Sequence, residues 1–256
     1  MGTTRTSGML PSQSGAFSFF RFRGIAVSVH WSWFVVAVYE MQTRHGLYRS
    51  PIWNVYEYLA LFGIVLLHEF GHSLACRQVG GEADRIVLWP LGGVAFVNPP
   101  PRPGAHLWSI AAGPLVNVAL LPVLYGLDAL ATSRGLAYNA PDTARFIHTV
   151  QLINLSLLIF NVLPIYPLDG GQILRSLLWF VLGAGRSLLV ATALGFVGVA
   201  GLVWLAMRRY QSDGSIWLFV LAAFMGANCW RGFQHALAIR RIERAASRPF
   251  HHDSGN

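Results

Sequence analysis

The sequence predicts an all-α polytopic membrane protein: six transmembrane helices, with a short re-entrant β-hairpin between the second and third. Three observations lead there. The 256 residues are 54% hydrophobic and only 12% charged, against about 25% charged in an ordinary soluble domain. Mean hydropathy is +0.47. The apolar residues also gather into six runs, 24–39, 58–76, 107–127, 146–168, 187–207 and 215–230, most of them near the ~20 residues that a spanning helix needs. So apolar a chain with so little charge is not intrinsically disordered.

The elements follow in order. Residues 1–23 are a polar lead ending in Arg21 and Arg23, with no small-residue cleavage site behind the next apolar run. They are expected to stay as a cytoplasmic N-terminal segment. Run 24–39 is short but rich in Val, Trp and Phe, and reads as an anchor helix. His30, with Trp31 and Trp33, suits a membrane interface or a packed polar group. Run 58–76 is apolar until it meets His68 and Glu69. Residues 85–97 are apolar and β-branched, split by Pro90 and Gly92-Gly93. This pattern suits two short strands or a re-entrant hairpin, since irregular backbone at membrane depth must be buried in protein or line a wet cavity. A proline-rich stretch, 99–103, makes a stiff connection. Runs 107–127 and 146–168 carry no charged residue, and Pro164 and Pro167 must break the second of them. Gly195, Gly198 and Gly201 in run 187–207 suit close helix packing. Run 215–230 completes the set. Residues 24–236 therefore form one membrane-embedded domain with a core at about 55–180, followed by a basic cytoplasmic tail, 237–256, whose His251 and His252 are expected to be solvated. Cys76 and Cys229 lie inside apolar stretches and behave as small hydrophobes, so no disulfide framework is implied.

The net charge of +8 comes from 19 basic residues, all arginine. They are scattered just outside the apolar runs, which argues for topology and against nucleic acid. With a cytoplasmic N-terminus, 13 arginines fall on the inner side and 6 on the outer. The positive-inside rule thus places both termini in the cytoplasm of a multi-pass cell-membrane protein. The second run then travels inward and carries residues 68–72 in its cytoplasmic half.

Those residues carry the chemistry. His68-Glu69-Phe70-Gly71-His72 is an HExxH motif. On a helix the two histidines are about 6 Å apart along the axis and nearly in register, so both imidazoles can reach one ion. Glu69 stands one step round, positioned to take a proton from metal-activated water. Ionisable groups within a membrane helix are costly, and metal ligation gives that cost a reason. A catalytic zinc site needs a third protein ligand. Ala75 and Gln78 occupy the positions that an extended HExxHxxGxxH motif would need for its Gly and third His. Glu82 and Glu243 fall in a loop and the tail. Asp84, Asp128, Asp142, Asp213 and Asp253 lie in turns, outer loops or the tail. Asp169 remains, on the same side and at the same depth as the histidines. Its competing reading is an N-cap for a short helix over 172–182. His148 is 21 residues upstream, too far along a helical path.

HEFGH on one membrane helix, followed by Asn161-x-x-Pro164-x-x-x-x-Asp169-Gly170 at the end of another, resembles the site-2 protease family of intramembrane zinc metalloproteases (peptidase family M50). The likeness extends over roughly residues 55–180, through Pro90-Leu-Gly-Gly93 and Ala112-Gly-Pro-Leu-Val-Asn117. It implies a six-helix metalloprotease with one Zn²⁺ held by His68, His72 and Asp169, and Glu69 as catalytic base. Asn117 matches a family position associated with substrate or oxyanion binding, or makes an interhelical hydrogen bond. Asn161 is the motif asparagine, placing substrate or bonding backbone freed near Pro164. The implied reaction is hydrolysis of a peptide bond within or next to a transmembrane segment of a membrane-protein substrate. Non-proteolytic metal binding, as a pseudoprotease or transporter, is the alternative. An edge strand within 85–97 could pair with the unwound substrate, so proline at Val87 or Ala95 is expected to impair cleavage. With no inserted peptide-binding domain and a short tail, substrate choice rests on the bundle, the hairpin or a separate regulatory partner.

Overall fold

Alternation, more than total hydrophobicity, decides the first part of the chain. The computed structural model describes residues 15–43, 46–89, 92–214 and 216–246. Most of the predicted N-terminal segment, Pro90, His251 and His252 lie outside the described residues. Strand β1 (Ala16–Phe22) turns through Arg23 and Gly24, both at positive φ, into β2 (Ile25–His30). In β2 the sequence IAVSVH buries Ile25, Val27 and Val29 while Ala26 and Ser28 are half-buried. Period two on β-branched residues is strand chemistry. The expected helix over 24–39 is thereby corrected. Helix α1 spans only Ser32–Thr43, 12 residues, about 18 Å and short of the ~30 Å hydrocarbon layer.

Helix α2 (Ile52–Gln78) follows, then β3 (Glu82–Trp89) and β4 (Gly92–Asn98). These two pair antiparallel, with Ile86 opposite Ala95 and Leu88 opposite Gly93. The hairpin is not isolated: β3 also pairs in parallel with β2, giving a four-stranded sheet in the order β1-β2-β3-β4. The fold is thus helical with a mixed sheet rather than all-α with a lone hairpin. One face of the sheet supplies the principal core. Ile25, Val27, Val29, Ile86 and Leu88 pack with Val65 and Trp33, against Leu61, Phe62, Leu66 and Phe70 of α2.

The remaining elements are α3 (Pro103–Ser133), the short α4 (Leu136–Asn139), α5 (Pro141–Val162), α6 (Asp169–Leu182), α7 (Ala184–Asp213) and α8 (Trp217–Ala246). Helix α5 stops at Val162, two residues before Pro164, and begins at Pro141, so it lies toward the N-terminal side of the predicted run 146–168. Among the described residues, four helices are long and apolar enough to cross a membrane: α2, α3, α5 and α7. Their outward side chains are apolar; Val123, Val197 and Trp204 are each more than half exposed. Such surfaces suit lipid, whereas water disfavours large exposed apolar patches. A second apolar cluster, Ile64, Leu124 and Val150, joins α2, α3 and α5. Helix α2 presents Gly71 to α3, where a Cβ would stand 2.6 Å from the Ala112 carbonyl oxygen. Small residues allow such helix contacts in membranes.

Candidate metal centre

Residues His68 and His72 lie four apart on α2, so the helix itself sets them on one face. Their Nε2 atoms are 3.1 Å apart. Asp169 comes from a different part of the fold. It is the first residue of α6, after an extended Leu168 that makes no side-chain cap. Its Oδ2 lies 3.0 Å from His68 Nε2 and 3.3 Å from His72 Nε2. Both histidines are buried. The capping role considered for Asp169 is thus not the one its carboxylate adopts. Glycines 170 and 171 work by close approach, not by a positive φ: a Cβ at Gly170 would strike the Val162 and Leu163 carbonyls, and one at Gly171 the Tyr166 backbone. The first turn of α6 is thereby folded directly onto the end of α5.

The hydrogen bonds behind the imidazoles determine what their front atoms can do. His72 Nδ1 faces the Ser109 carbonyl at 2.9 Å. A carbonyl only accepts, so this nitrogen carries the proton. The same follows for His68 through a chain of amides. Asn154 Nδ2 donates to the Asn117 backbone carbonyl at 3.0 Å, leaving Asn154 Oδ1 to accept from Asn117 Nδ2 at 2.8 Å. Asn117 Oδ1 therefore accepts from His68 Nδ1, at 2.6 Å. With both Nδ1 atoms protonated, the neutral imidazoles turn Nε2 lone pairs toward each other and toward a carboxylate oxygen. Asp169 Oδ2 is buried with no hydrogen-bond donor. Three acceptors converge, and a cation is the group that satisfies them. Zinc bonds of about 2.0–2.2 Å at tetrahedral angles separate ligand atoms by about 3.3 Å, close to the spacing here. Among the described residues this is the cluster that could hold a metal ion.

Glu69 lies beside the trio and is buried. Its Oε2 accepts from the Ala95 amide of β4 at 2.9 Å. Gly93 of the same strand lies against the Glu69 carboxyl so closely that a Cβ would overlap it. Gly113 of α3 does the same on the other side, facing both imidazoles. The motif helix is thus gripped by glycines from two neighbouring elements. A cavity of about 340 Å³ opens onto these groups, lined in part by His68, Glu69, His72, Asp169, Asn161 and Asn228.

Of the two asparagines singled out in the sequence, Asn161 faces this cavity, whereas Asn117 is fully buried behind His68 and does not line it. The interhelical hydrogen bond was one of the two readings open for Asn117, and it is the contact present. Replacing Asn117 with Ala is expected to weaken zinc binding about 10–100-fold, the usual cost of losing a partner that orients a ligating histidine. Competition with a chelator measures this; wild-type affinity in the variant would show that Asn117 does not orient His68. Sequence reasoning missed Asn154, although a polar side chain in an apolar run was a visible signal. It also missed Ser109, whose contribution is a backbone carbonyl and leaves no trace in residue identity. Gly93 and Gly113 were noticed only as parts of motifs.

Comparison with known proteins gives the chain's relatives. The family model for Peptidase family M50 matches residues 56–138 and 130–205. A zinc metalloprotease of Methanocaldococcus jannaschii is 33% identical over 178 residues, covering 69% of this chain and 49% of that protein. Stage IV sporulation protein FB of Bacillus subtilis is 34% identical over 121 residues, covering 45% of this chain and 38% of that one. The chain spans about half the length of the curated relatives it matches. Among solved structures, the site-2 protease from Methanocaldococcus jannaschii superposes with a TM-score of 0.61 at 25% identity, over 85% of this chain and 95% of that one. Placed beside the HExxH helix and the carboxylate that meets it, these matches establish that the chain belongs to peptidase family M50.

Proposed function

We propose that this chain is an intramembrane zinc metalloprotease that hydrolyses a peptide bond within or next to a transmembrane segment of a membrane-protein substrate. The observation that carries the reading is the convergence of His68 Nε2, His72 Nε2 and Asp169 Oδ2, all lone-pair donors, on one point beside Glu69. These three residues would hold one zinc ion. When bound, zinc polarises the scissile carbonyl and acidifies water. Glu69 takes the proton from the attacking water and returns it to the leaving amine. The Ala95 amide holds one carboxylate oxygen in place for both transfers. Asn161, on the cavity wall, is placed to contact the substrate backbone.

The membrane-embedded domain extends over 24–236, between a cytoplasmic N-terminal segment and a basic cytoplasmic tail. The arginine distribution supports cytoplasmic termini and six crossings in the cell membrane. In this reading β2 and α1 together make the first crossing, and α8 makes the last. The cavity walls, or a separate regulatory partner, contribute to substrate choice in this reading.

Zinc analysis of the purified protein tests the reading. Wild type is expected to carry close to one zinc per chain, and His68→Ala, His72→Ala and Asp169→Asn are expected to lose it. A wild-type chain without zinc, or full zinc in the Asp169→Asn chain, would overturn the assignment.

The same reading needs the substrate backbone extended, because an intact helix spends its carbonyls on its own hydrogen bonds. The Ala95 amide points away from β3, toward Glu69, so the N–H groups of Gly93 and Val97, two residues to either side, share that outward direction. This is the edge that faces the cavity. Proline at Val87, in the sheet interior, would remove a ladder hydrogen bond between β3 and β4, and proline at Ala95 would remove the Glu69 contact. Val97→Pro is the cleaner probe. It is expected to lower cleavage at least several-fold with zinc content unchanged; unaltered cleavage would rule out pairing at this edge.

A further inference from the structure

The segment between α5 and α6 delivers Asp169 to the histidines, and its anchoring is unusual. Tyr166 stands three residues before Asp169 and is held from two sides. On one side, Cys229 Sγ of α8 donates to the Tyr166 carbonyl at 2.9 Å. The Tyr166 ring sits against Gly232 of α8, where a Cβ would come within 2.7 Å of its Cε1. A Cβ at Gly195 of α7 would stand 2.7 Å from the Tyr166 carbonyl oxygen and 2.6 Å from Cys229 Sγ. Gly198, one turn on, leaves room for Ile165, whose Cγ2 a Cβ would approach to 2.5 Å. Gly201, the third of the α7 series, has nothing within 4 Å of where its Cβ would be. Gly198 therefore makes room for the loop, and Gly195 for both the loop and Cys229 of the packed α8.

On its other side Tyr166 meets the turn that carries Asp169. Gly171 lies directly against the Tyr166 backbone, and Gln172 Nε2 donates to the Pro167 carbonyl at 3.0 Å. The Leu168 amide closes the loop onto the Ile165 carbonyl at 2.9 Å. Little slack remains between the Tyr166 seat and the carboxylate.

We infer that Tyr166 is a positioning residue for Asp169: its ring and carbonyl, seated in the notches of Gly195 and Gly232, transmit the placement of the α7–α8 pair to the third metal ligand. The inference rests on the metal assignment proposed above. It explains why α7 and α8, which contribute none of the three ligands, present glycine where the ligand-bearing loop meets them. It also predicts a pattern that a merely structural tyrosine would not produce. Loss of the ring and filling of its notch should both act on metal affinity, although one removes atoms and the other adds them.

Zinc affinity is measured by chelator competition on purified variants that elute as a single species. Tyr166→Ala and Gly232→Val are each expected to weaken zinc about 10–100-fold, the range for losing support to a ligand. Tyr166→Phe, which keeps the ring, and Gly201→Val, which faces open space, are expected to bind as wild type. Should Tyr166→Ala or Gly232→Val fail to fold, Gly232→Ala presses one methyl on the ring and is expected to weaken zinc several-fold. Wild-type affinity in the folded Tyr166 or Gly232 variants, or an equal loss in Gly201→Val, would overturn the inference. Asp169→Asn is run beside them. Zinc lost there but kept in Tyr166→Ala defeats the positioning role alone, whereas zinc kept in Asp169→Asn defeats the metal assignment itself.

Discussion

A Glu69→Gln chain is expected to keep its zinc and lose about 10²–10⁴-fold in peptide-bond hydrolysis, the usual contribution of a positioned general base. Glutamine is nearly isosteric with glutamate, so its Oε1 can still accept the Ala95 amide that Glu69 Oε2 accepts at 2.9 Å. The carboxyl also fills the space that Gly93 leaves for it, so the packing of β4 is retained. What changes is basicity: an amide does not take up the proton of the attacking water. Glu69→Ala would be a poorer experiment, because it would also strip the Ala95 amide of its acceptor. Membrane proteins that accumulate with the Glu69→Gln chain and disappear with wild type would be the substrates. An unchanged membrane proteome, with zinc bound in both chains, would point to a metal-binding protein that does not cleave.

The second large effect is expected at a residue with no functional group. Gly113→Val should abolish zinc binding, because a Cβ there would overlap the His72 ring and come within 2.9 Å of His68 Nε2. Neither imidazole can retreat easily. His72 Nδ1 is tied to Ser109, on the same helix as Gly113, and His68 Nδ1 to Asn117. Either the Nε2 atoms turn away from their common point or α3 moves off α2. The second route costs about 1–3 kcal/mol, as overpacked sites generally do, and lowers the melting temperature as well. Chelator competition and thermal unfolding together separate the two routes. A Gly113→Val chain that binds zinc as wild type would mean that α3 does not press on the site.

Much of the candidate site, as a set of side chains that meet, was legible without coordinates because its parts are local or chemically scarce. His68, Glu69 and His72 declare themselves through helical spacing. Asp169 was found by elimination among few acidic residues, since charge in an apolar chain is costly enough to be rare. Pro164 was rightly read as a helix breaker, and the stretch 85–97, read as two short strands or a re-entrant hairpin, falls in β3 and β4. The miss at 24–39 has a definite cause. Total hydrophobicity does not distinguish a strand from a helix over a short run, whereas the alternation in IAVSVH does. Gly195 and Gly198 were read as helix packing; Gly195 does face Cys229 of α8, but nothing local to α7 says that a loop will also lie on both glycines.

Residue identity alone determined the membrane character, the chemistry of the candidate metal-binding groups and the two places in the chain from which they come. These depend on transfer energies and on 3.6-residue periodicity, both of which are local. Tertiary structure decided everything that requires two distant segments to share a point. It set Asn117 in hydrogen-bond contact with His68, placed glycine at positions 93 and 113 where a Cβ would strike the motif side chains, joined the hairpin to a second pair of strands, and seated Tyr166 between α7 and α8. Such contacts depend on how closely backbones approach, and glycines and carbonyl groups, which look alike wherever they occur in a sequence, govern that approach.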